Sequence, residues 1–180
     1  MIVWLNGTFG VGKTAISRKL VTNHDELRHF DPEWVGYMLT NNLPDHAVTD
    51  FQQYPSWRRL VPLVADEIIQ FTGQHLVAAQ SVLVEDYWRG LSKGLAELGH
   101  EVFHVVLDAD ADTLHARIDS DQDEPERIRP WRHRQHRPAG LDQHHPARDR
   151  RCDAAVGGVG VVGVVGFGWS GGVGLVSGYR

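Results

Sequence analysis

The chain begins with the feature that restricts its fold most, a short apolar segment that runs directly into a glycine-rich turn. Residues 2–6 are apolar and partly β-branched, which predicts a buried strand. The stretch NGTFGVGKTAIS follows at residues 6–17, and a helix is predicted from Thr14 to about Val21. A buried strand, a tight turn and a helix in succession are typical of α/β layered folds.

The glycine-rich turn fits the phosphate-binding pattern G-x-x-x-x-G-K-[ST]. Glycine lets the main chain approach a phosphate chain closely, and successive main-chain N–H groups form an anion-binding nest beside the positive end of the helix. Lys13 is expected to bind the β- and γ-phosphates and to be catalytic, and the Thr14 hydroxyl to bind Mg²⁺. The predicted ATP-binding residues are Gly7, Thr8, Phe9, Gly10, Val11, Gly12, Lys13 and Thr14.

Strands and helices alternate along the first 120 residues. Helices are predicted where apolar residues recur at helical spacing, and strands where short apolar runs occur. The further predicted strands span residues 28–31, 75–80 and 101–108, and the further predicted helices span residues 32–42, 55–71, 85–98 and 110–120. This alternation predicts an α/β fold with a parallel sheet, right-handed crossovers and a ligand site at the carboxyl ends of the strands.

The acidic residues at strand ends separate two classes of P-loop protein. A motor ATPase needs an acid at the end of a neighbouring strand, but the strand at residues 75–80 ends in Gln80. Asp108 ends the next strand, although it equally suits the start of the following helix. The motor class is therefore disfavoured. Two functions stay open: a phosphotransferase that uses Mg-ATP, and a nucleotide-dependent binding protein that sequesters a ligand.

A small-molecule kinase needs a carboxylate beside the acceptor hydroxyl and arginines that close over the phosphates. Asp31 and Glu33 follow the second predicted strand on the ligand side of the sheet and are the candidate catalytic acids. Asp31 could equally cap the helix that follows it. Arg117 is a candidate catalytic arginine; alternatively, it is an exposed helix residue without a catalytic role. Arg127 is a candidate nucleotide-binding residue, and both arginines lie where a flap that closes over the phosphates is expected.

Three blocks of sequence together carry a more specific resemblance. IVWLNGTFGVGKT, FDPEWVGYML and DFQQYPSWRRL resemble the tunicamycin resistance protein family, whose members are small P-loop ATP-binding proteins similar to nucleotide, shikimate and antibiotic kinases. The resemblance covers about residues 1–125. It implies a P-loop nucleoside-triphosphatase fold with a parallel sheet of order 2-3-1-4-5, ATP as ligand, and a role in tolerating or modifying a small molecule that is nucleoside-like or sugar-like.

The resemblance also implies roles for particular residues. Asp31 and Glu33 fall on the acidic-proline-Glu motif of the family. Tyr54, Trp57 and Arg58 fall on its YPxWR block, which would line the acceptor pocket. Core packing is the alternative for Tyr54 and Trp57, whereas Arg58 lies beside an apolar helix face and needs a partner for its charge.

The composition changes abruptly after about residue 125. Residues 1–125 are expected to form the nucleotide-binding domain, residues 126–155 are an Arg/His/Pro-rich flap remnant or linker, and residues 156–180 are a Gly/Val-rich low-complexity tail. No packed core element is predicted in the last two segments. The last strand of the 2-3-1-4-5 order is therefore expected to be lost in an aberrant C-terminal tail.

Charge and composition limit the partners of the chain. Residues 1–124 carry 9 Lys or Arg and 19 Asp or Glu, and this acidic body disfavours nucleic acid. Residues 156–176 are uncharged and long enough for a membrane anchor, but their glycine content favours a disordered tail. The spacing of the C-terminal histidines matches no zinc pattern. The single Cys152 and the lack of a basic, apolar leader predict a cytoplasmic location.

Overall fold

The computed structural model describes residues 1–120, 129–134, 152–156 and 159–167 of the chain. The strands are β1 (Ile2–Gly7), β2 (Leu27–Phe30), β3 (His75–Ala79), β4 (Val102–Asp108), β5 (Cys152–Val156) and β6 (Val159–Phe167). The helices are α1 (Lys13–Asn23), α2 (Glu33–Asn42), α3 (Pro55–Thr72), α4 (Glu85–Glu97), α5 (Ala111–Ser120) and α6 (Arg129–Arg134). Two short 3₁₀ turns, Pro44–His46 and Phe51–Gln53, connect α2 to α3.

One sheet organises the molecule, in the order β2-β3-β1-β4-β6-β5. Its first four strands are parallel, and β1 lies between β3 and β4, with Val3 opposite Val77 on one side and Phe103 on the other. A central strand of a parallel sheet is covered on both faces, which explains why β1 is apolar almost throughout. The predicted α/β fold with a parallel 2-3-1-4 arrangement is confirmed, and the carboxyl ends of β1 and β3 meet at one edge.

The strand beside β4 differs from the expectation. It is β6, which is antiparallel to β4; Val102 of β4 lies opposite Phe167 of β6, and Asp108 lies opposite Gly160. β5 pairs antiparallel with β6 and is the outer strand of this hairpin. Both strands lie in the part of the chain for which no packed element was predicted. Valine has high β-propensity, and the open edge of β4 supplies a row of unpaired main-chain groups that a valine-rich segment can pair with. The three-part division of the chain stays a prediction.

The main core lies between the sheet and the pair of helices α3 and α4. Trp4 of β1 packs there with Trp57 and Val61 of α3 and with Leu91 and Leu95 of α4. These side chains are four residues apart in each helix, so each helix buries one face. Within the described residues, no helix combines the length and the apolar character needed to cross a membrane.

Candidate functional site

The loop between β1 and α1 has the backbone geometry of a phosphate cradle. Three of its residues have positive φ angles: Gly7 at 135°, Gly10 at 80° and Gly12 at 99°. Gly12 immediately precedes α1, so the loop turns directly into the positive end of that helix. At Gly7 a β-carbon would lie only 2.4 Å from the main-chain oxygen of Leu107 on β4. The loop therefore requires glycine both for its turn and for its close packing on the sheet.

Lys13 points back over this loop. Its Nζ donates hydrogen bonds to the carbonyl oxygens of Gly7, at 3.0 Å, and Thr8, at 2.8 Å. Burial lowers the pKa of Lys13 to about 7, the negative charge of Glu33 acts in the opposite direction, and the nearby positive charge of Arg132 lowers it further. The ammonium group is therefore poorly stabilised where it lies, and a bound phosphate would supply the negative charge that it lacks.

The loop opens into a cleft of about 510 Å³ at the carboxyl ends of β1 and β3. On the P-loop side, the cleft is lined by four cationic side chains: Lys13, Arg18, Arg117 and Arg132. Arg117 of α5 donates a hydrogen bond to the carbonyl oxygen of Val11 at 3.4 Å, and the guanidinium of Arg132 on α6 lies 5.8 Å from the centre of the Phe9 ring. Arginines from two helices thus lie against the loop, where their charges can stabilise a phosphate group.

The opposite wall of the cleft is acidic and aromatic. Glu33 and Tyr37 come from α2, and Asp50 and Phe51 come from the second 3₁₀ turn. Tyr37 donates a hydrogen bond to the carboxylate of Glu33 at 2.9 Å, and the Tyr37 and Phe51 rings meet edge to face. Burial raises the pKa of Asp50, while a hydrogen bond from the main-chain N–H of Gln52 lowers it. This wall accepts hydrogen bonds, in contrast to the cationic side.

Several predicted site residues lie in this cleft. Thr14 lines it and is exposed at the first turn of α1, and Phe9, Glu33 and Arg117 line it as well. The side chain of Val11 instead anchors the loop, because it is fully buried against Leu107 and Leu114.

Asp31 is not among the residues that line the cleft. Its carboxylate accepts a hydrogen bond from the main-chain N–H of Glu33 at 2.9 Å, so it caps α2, as its alternative interpretation states. The prediction for Arg127 lies outside the described residues.

Tyr54, Trp57 and Arg58, which the resemblance places in the acceptor pocket, are not among the residues that line this cleft. Tyr54 and Trp57 are buried, as their core-packing alternative predicts. Trp57 is fully buried and donates from Nε1 to the carbonyl oxygen of Pro32 at 3.0 Å, and the Tyr54 hydroxyl donates to the carbonyl oxygen of His46 at 2.8 Å. Arg58 stacks on the ring of Tyr87 and donates to the main-chain oxygen of Gln52. Tyr54 and Trp57 therefore pack in the core, and Arg58 binds the main chain of the turn that lines the cleft. This block supports the wall of the cleft without lining it.

A substitution at Trp57 tests this core role. Trp57→Phe leaves the buried carbonyl of Pro32 without its donor and opens a small void, so we expect the free energy of unfolding to fall by about 2 kcal/mol. Chemical denaturation measures this loss, and nucleotide affinity should not change. Trp34→Phe is the control. Because Trp34 is 70% exposed, this substitution should lower the free energy of unfolding by less than about 0.5 kcal/mol. Unchanged stability of Trp57→Phe would contradict the core assignment.

Some residues of the cleft were not predicted. Asp50 is the first residue of the third resemblance block, DFQQYPSWRRL, and its place in that block was the available signal. Arg132 belongs to the Arg/His/Pro-rich segment, where no periodicity distinguishes one arginine from another. Gln80 directly follows β3 and lines the cleft where a motor ATPase carries an acid. Among the described residues, no group of three or more His, Cys, Asp or Glu side chains could hold a metal ion.

The low pKa of Lys13 predicts that nucleotide binding depends on pH. With a pKa of about 7, Lys13 is mostly charged at pH 6 and mostly neutral at pH 8, and only the ammonium form attracts phosphate. Binding at pH 8 should therefore take up a proton, and the dissociation constant of a non-hydrolysable Mg-ATP analogue should be about tenfold higher than at pH 6. Titration calorimetry in buffers of different ionisation enthalpy measures both effects. Lys13→Arg stays charged, so an equal pH dependence in that variant would contradict the assignment.

Comparison with solved structures identifies the fold. The tunicamycin resistance protein of Deinococcus radiodurans superposes with a TM-score of 0.60 at 26% identity, over 80% of this chain and 84% of that one. The resemblance to the tunicamycin resistance protein is confirmed. A sugar kinase of Janibacter sp. HTCC2649 has a TM-score of 0.54 at 19% identity, over 78% of this chain and 80% of that one. A putative kinase of Chloroflexus aurantiacus has a TM-score of 0.51 at 18% identity, over 75% and 70%. The chain has the kinase-like P-loop fold that these proteins share.

Sequence comparison alone adds little. No family model matches the chain. A methionine–tRNA ligase of Bacillus cereus is 27% identical over 54% of this chain, and the chain spans about a fifth of the length of that curated relative, 21%.

Proposed function

We propose that this protein is a phosphotransferase that uses Mg-ATP to phosphorylate a hydroxyl group of a small molecule. The observation that carries the proposal is the division of one cleft into two walls. The P-loop, Lys13 and the arginines of α5 and α6 form a cationic wall suited to a triphosphate, and Glu33 stands on the wall that faces it. Phosphoryl transfer depends mostly on positioning and charge stabilisation, and this arrangement supplies both.

The proposed reaction assigns a role to each wall. The acceptor hydroxyl oxygen forms a bond to the γ-phosphorus of ATP, the bond from that phosphorus to the β-phosphate oxygen breaks, and ADP leaves. The hydroxyl proton passes to the carboxylate of Glu33 and then to solvent. Lys13 and Arg117 stabilise the negative charge of the transferring group, and the Thr14 hydroxyl would help to hold Mg²⁺, which supplies further charge stabilisation when bound.

A second candidate function is a nucleotide-dependent protein that sequesters its ligand and turns over slowly. Gln80 favours this alternative, because an amide at the end of β3 cannot take a proton as a carboxylate can. Both functions share the nucleotide site and differ only in product formation.

ATP consumption with and without candidate acceptors distinguishes the two functions. Tunicamycin is one candidate acceptor, because the D. radiodurans structure is that of a tunicamycin resistance protein. Acceptor-dependent ADP release with a new phosphate ester, detected by ³¹P nuclear magnetic resonance, supports the phosphotransferase. Saturable nucleotide binding without product supports the sequestering protein. A folded sample that shows no saturable affinity for millimolar nucleotide would overturn both.

A further inference from the structure

The acidic wall of the cleft contains features that select an acceptor by its charge. Asp50 is half-buried and lines the cleft, and none of the ion pairs between described residues involves it. The one hydrogen bond that its carboxylate makes among these residues comes from the main-chain N–H of Gln52, at 2.9 Å, which is a neutral donor. A partly buried carboxylate of this kind interacts favourably with a cation that enters the cleft.

A second observation comes from a different element of the fold. Gln80 at the end of β3 is only 3% exposed and lines the same cleft. Its Nε2 donates to the carbonyl oxygen of Ser81 at 3.4 Å, whereas its Oε1 is buried without a hydrogen-bond partner among the described residues. A buried acceptor without a donor is costly, so a ligand that brings an O–H or N–H group toward this amide gains a hydrogen bond that the protein alone does not make.

The cationic and the acidic residues of the cleft come from different elements of the fold, and the acidic ones favour this wall for the acceptor. The cationic residues surround the P-loop, where the phosphates of the nucleotide take up their charge. The aromatic rings of Tyr37 and Phe51, with centres 6.2 Å apart, lie beside the carboxylates and offer flat apolar surface to a ring compound. An anionic acceptor would meet two carboxylates in this cleft, those of Glu33 and Asp50, and like charges repel.

We infer that the acceptor is a polyhydroxylated amine, that Asp50 binds its ammonium group, and that Gln80 accepts a hydrogen bond from one of its hydroxyl groups. The inference rests on the proposed function, because it names the acceptor class of the same cleft. Asp50 and Gln80 are specificity residues in this assignment. The hydroxyl that receives the phosphate faces Glu33 and the P-loop.

Three sugars that share one ring and differ in charge test this inference: D-glucosamine, D-glucose and D-glucuronate. Binding is measured by titration with the full chain saturated with a non-hydrolysable Mg-ATP analogue. We expect glucosamine to bind about tenfold more tightly than glucose, and glucuronate to bind more weakly than either. Glucuronate binding as tightly as glucosamine would overturn the inference, as would the absence of saturable glucosamine binding to the nucleotide-loaded protein.

Two variants show whether Asp50 is the source of the preference. Asp50→Asn keeps an oxygen that can accept the hydrogen bond from Gln52 N–H, so the turn is preserved while the charge is removed. In this variant glucosamine should lose its tenfold advantage over glucose. Asp45→Asn is the matched control, because Asp45 is exposed, pairs with His46 and does not line the cleft, so the advantage should persist. An unchanged glucosamine preference in Asp50→Asn would overturn the assignment of Asp50.

A third variant addresses Gln80. Gln80→Met keeps the approximate size of the side chain and removes both polar atoms, so all three sugars should bind several-fold more weakly. Unchanged affinity for all of them would overturn the role of Gln80. Loss of nucleotide binding by the wild-type chain would remove the proposed function and this inference together, whereas intact nucleotide binding without amine selectivity would remove this inference alone.

Discussion

Replacement of Lys13 by alanine should lower the rate of ATP turnover by about 1,000-fold. Lys13 is the cation of the P-loop: it donates hydrogen bonds to main-chain oxygens of the loop, and the negative charge of Glu33 acts on it. In phosphoryl transfer most of the catalysis comes from charges held at the transferring group, and the loss of one such contact costs two to three orders of magnitude. A coupled assay of ADP release measures the effect.

The matched control for this prediction is Lys19→Ala on the same helix. Lys19 is exposed and is not among the residues that line the cleft, so turnover should stay within about twofold of wild type. Lys13→Ala removes a poorly stabilised charge and should fold normally, which circular dichroism and thermal unfolding can verify. Turnover of a folded Lys13→Ala protein within tenfold of wild type would contradict the role of Lys13 as the phosphate-binding cation.

The P-loop and the elements around it could be predicted because each depends on local physics. The glycines of residues 7–12 are needed for backbone angles that other residues adopt only at a cost, so the pattern itself specifies the turn. The end of α3 is similarly marked, since Gly73 takes a left-handed conformation directly after Thr72. Prediction and structure agree within about two residues for the strands and α-helices between Ile2 and Ser120, whereas the two 3₁₀ turns were not predicted.

The side-chain assignments were harder because they depend on which neighbour an apolar face meets. Trp57 and Tyr54 are large, apolar and carry one polar group each, which suits either a ligand pocket or a core with a single buried carbonyl. The carbonyls that decide the matter belong to Pro32 and His46, which lie in other elements. Sequence periodicity contains no information about such long-range partners, so the alternative could be stated but not resolved.

The 3₁₀ turn Phe51–Gln53 shows how residues of the resemblance block can affect the cleft without lining it. Arg58 binds the main-chain oxygen of Gln52, and Gln52 donates from Nε2 to the main-chain oxygen of Ser81 at 2.8 Å. The YPxWR block thereby fixes the turn that presents Asp50 and Phe51 to the cleft. A motif that suggests ligand contacts can instead consist of the residues that hold those contacts in place.

β6 could not be predicted because its composition contradicts ordinary strand signals. Its sequence VGVVGVVGF at residues 159–167 places glycine at every third position, which weakens a strand and resembles low complexity. What favours the strand is the neighbouring β4, whose outer edge would otherwise present unpaired N–H and C=O groups. The pairing of β6 therefore depends on tertiary structure, because the edge of β4 is available only when β4 is already part of the sheet.

Gly7→Ala should be among the most disruptive single substitutions in the chain. The residue has a φ angle of 135°, and a β-carbon there would lie 2.4 Å from the main-chain oxygen of Leu107 and 3.1 Å from Val11. Neither the strand nor the loop can yield without breaking the β1–β4 pairing, so we expect the free energy of unfolding to fall by about 3 kcal/mol or more. Any protein that still folds should bind nucleotide about 100-fold more weakly, because a shifted loop misplaces its N–H groups.

Gly90→Ala is the control that shows whether the loss of stability is specific to position 7. Gly90 lies in α4 and is exposed, and a methyl group added there would meet no other part of the fold within 4 Å, so alanine should stabilise the helix by up to about 1 kcal/mol. The two substitutions add the same methyl group and should change stability in opposite directions. Chemical denaturation and nucleotide titration of both variants measure the contrast. A Gly7→Ala protein as stable as wild type would mean that the loop does not pack on β4 as closely as this geometry requires, and the phosphate cradle would lose its structural basis.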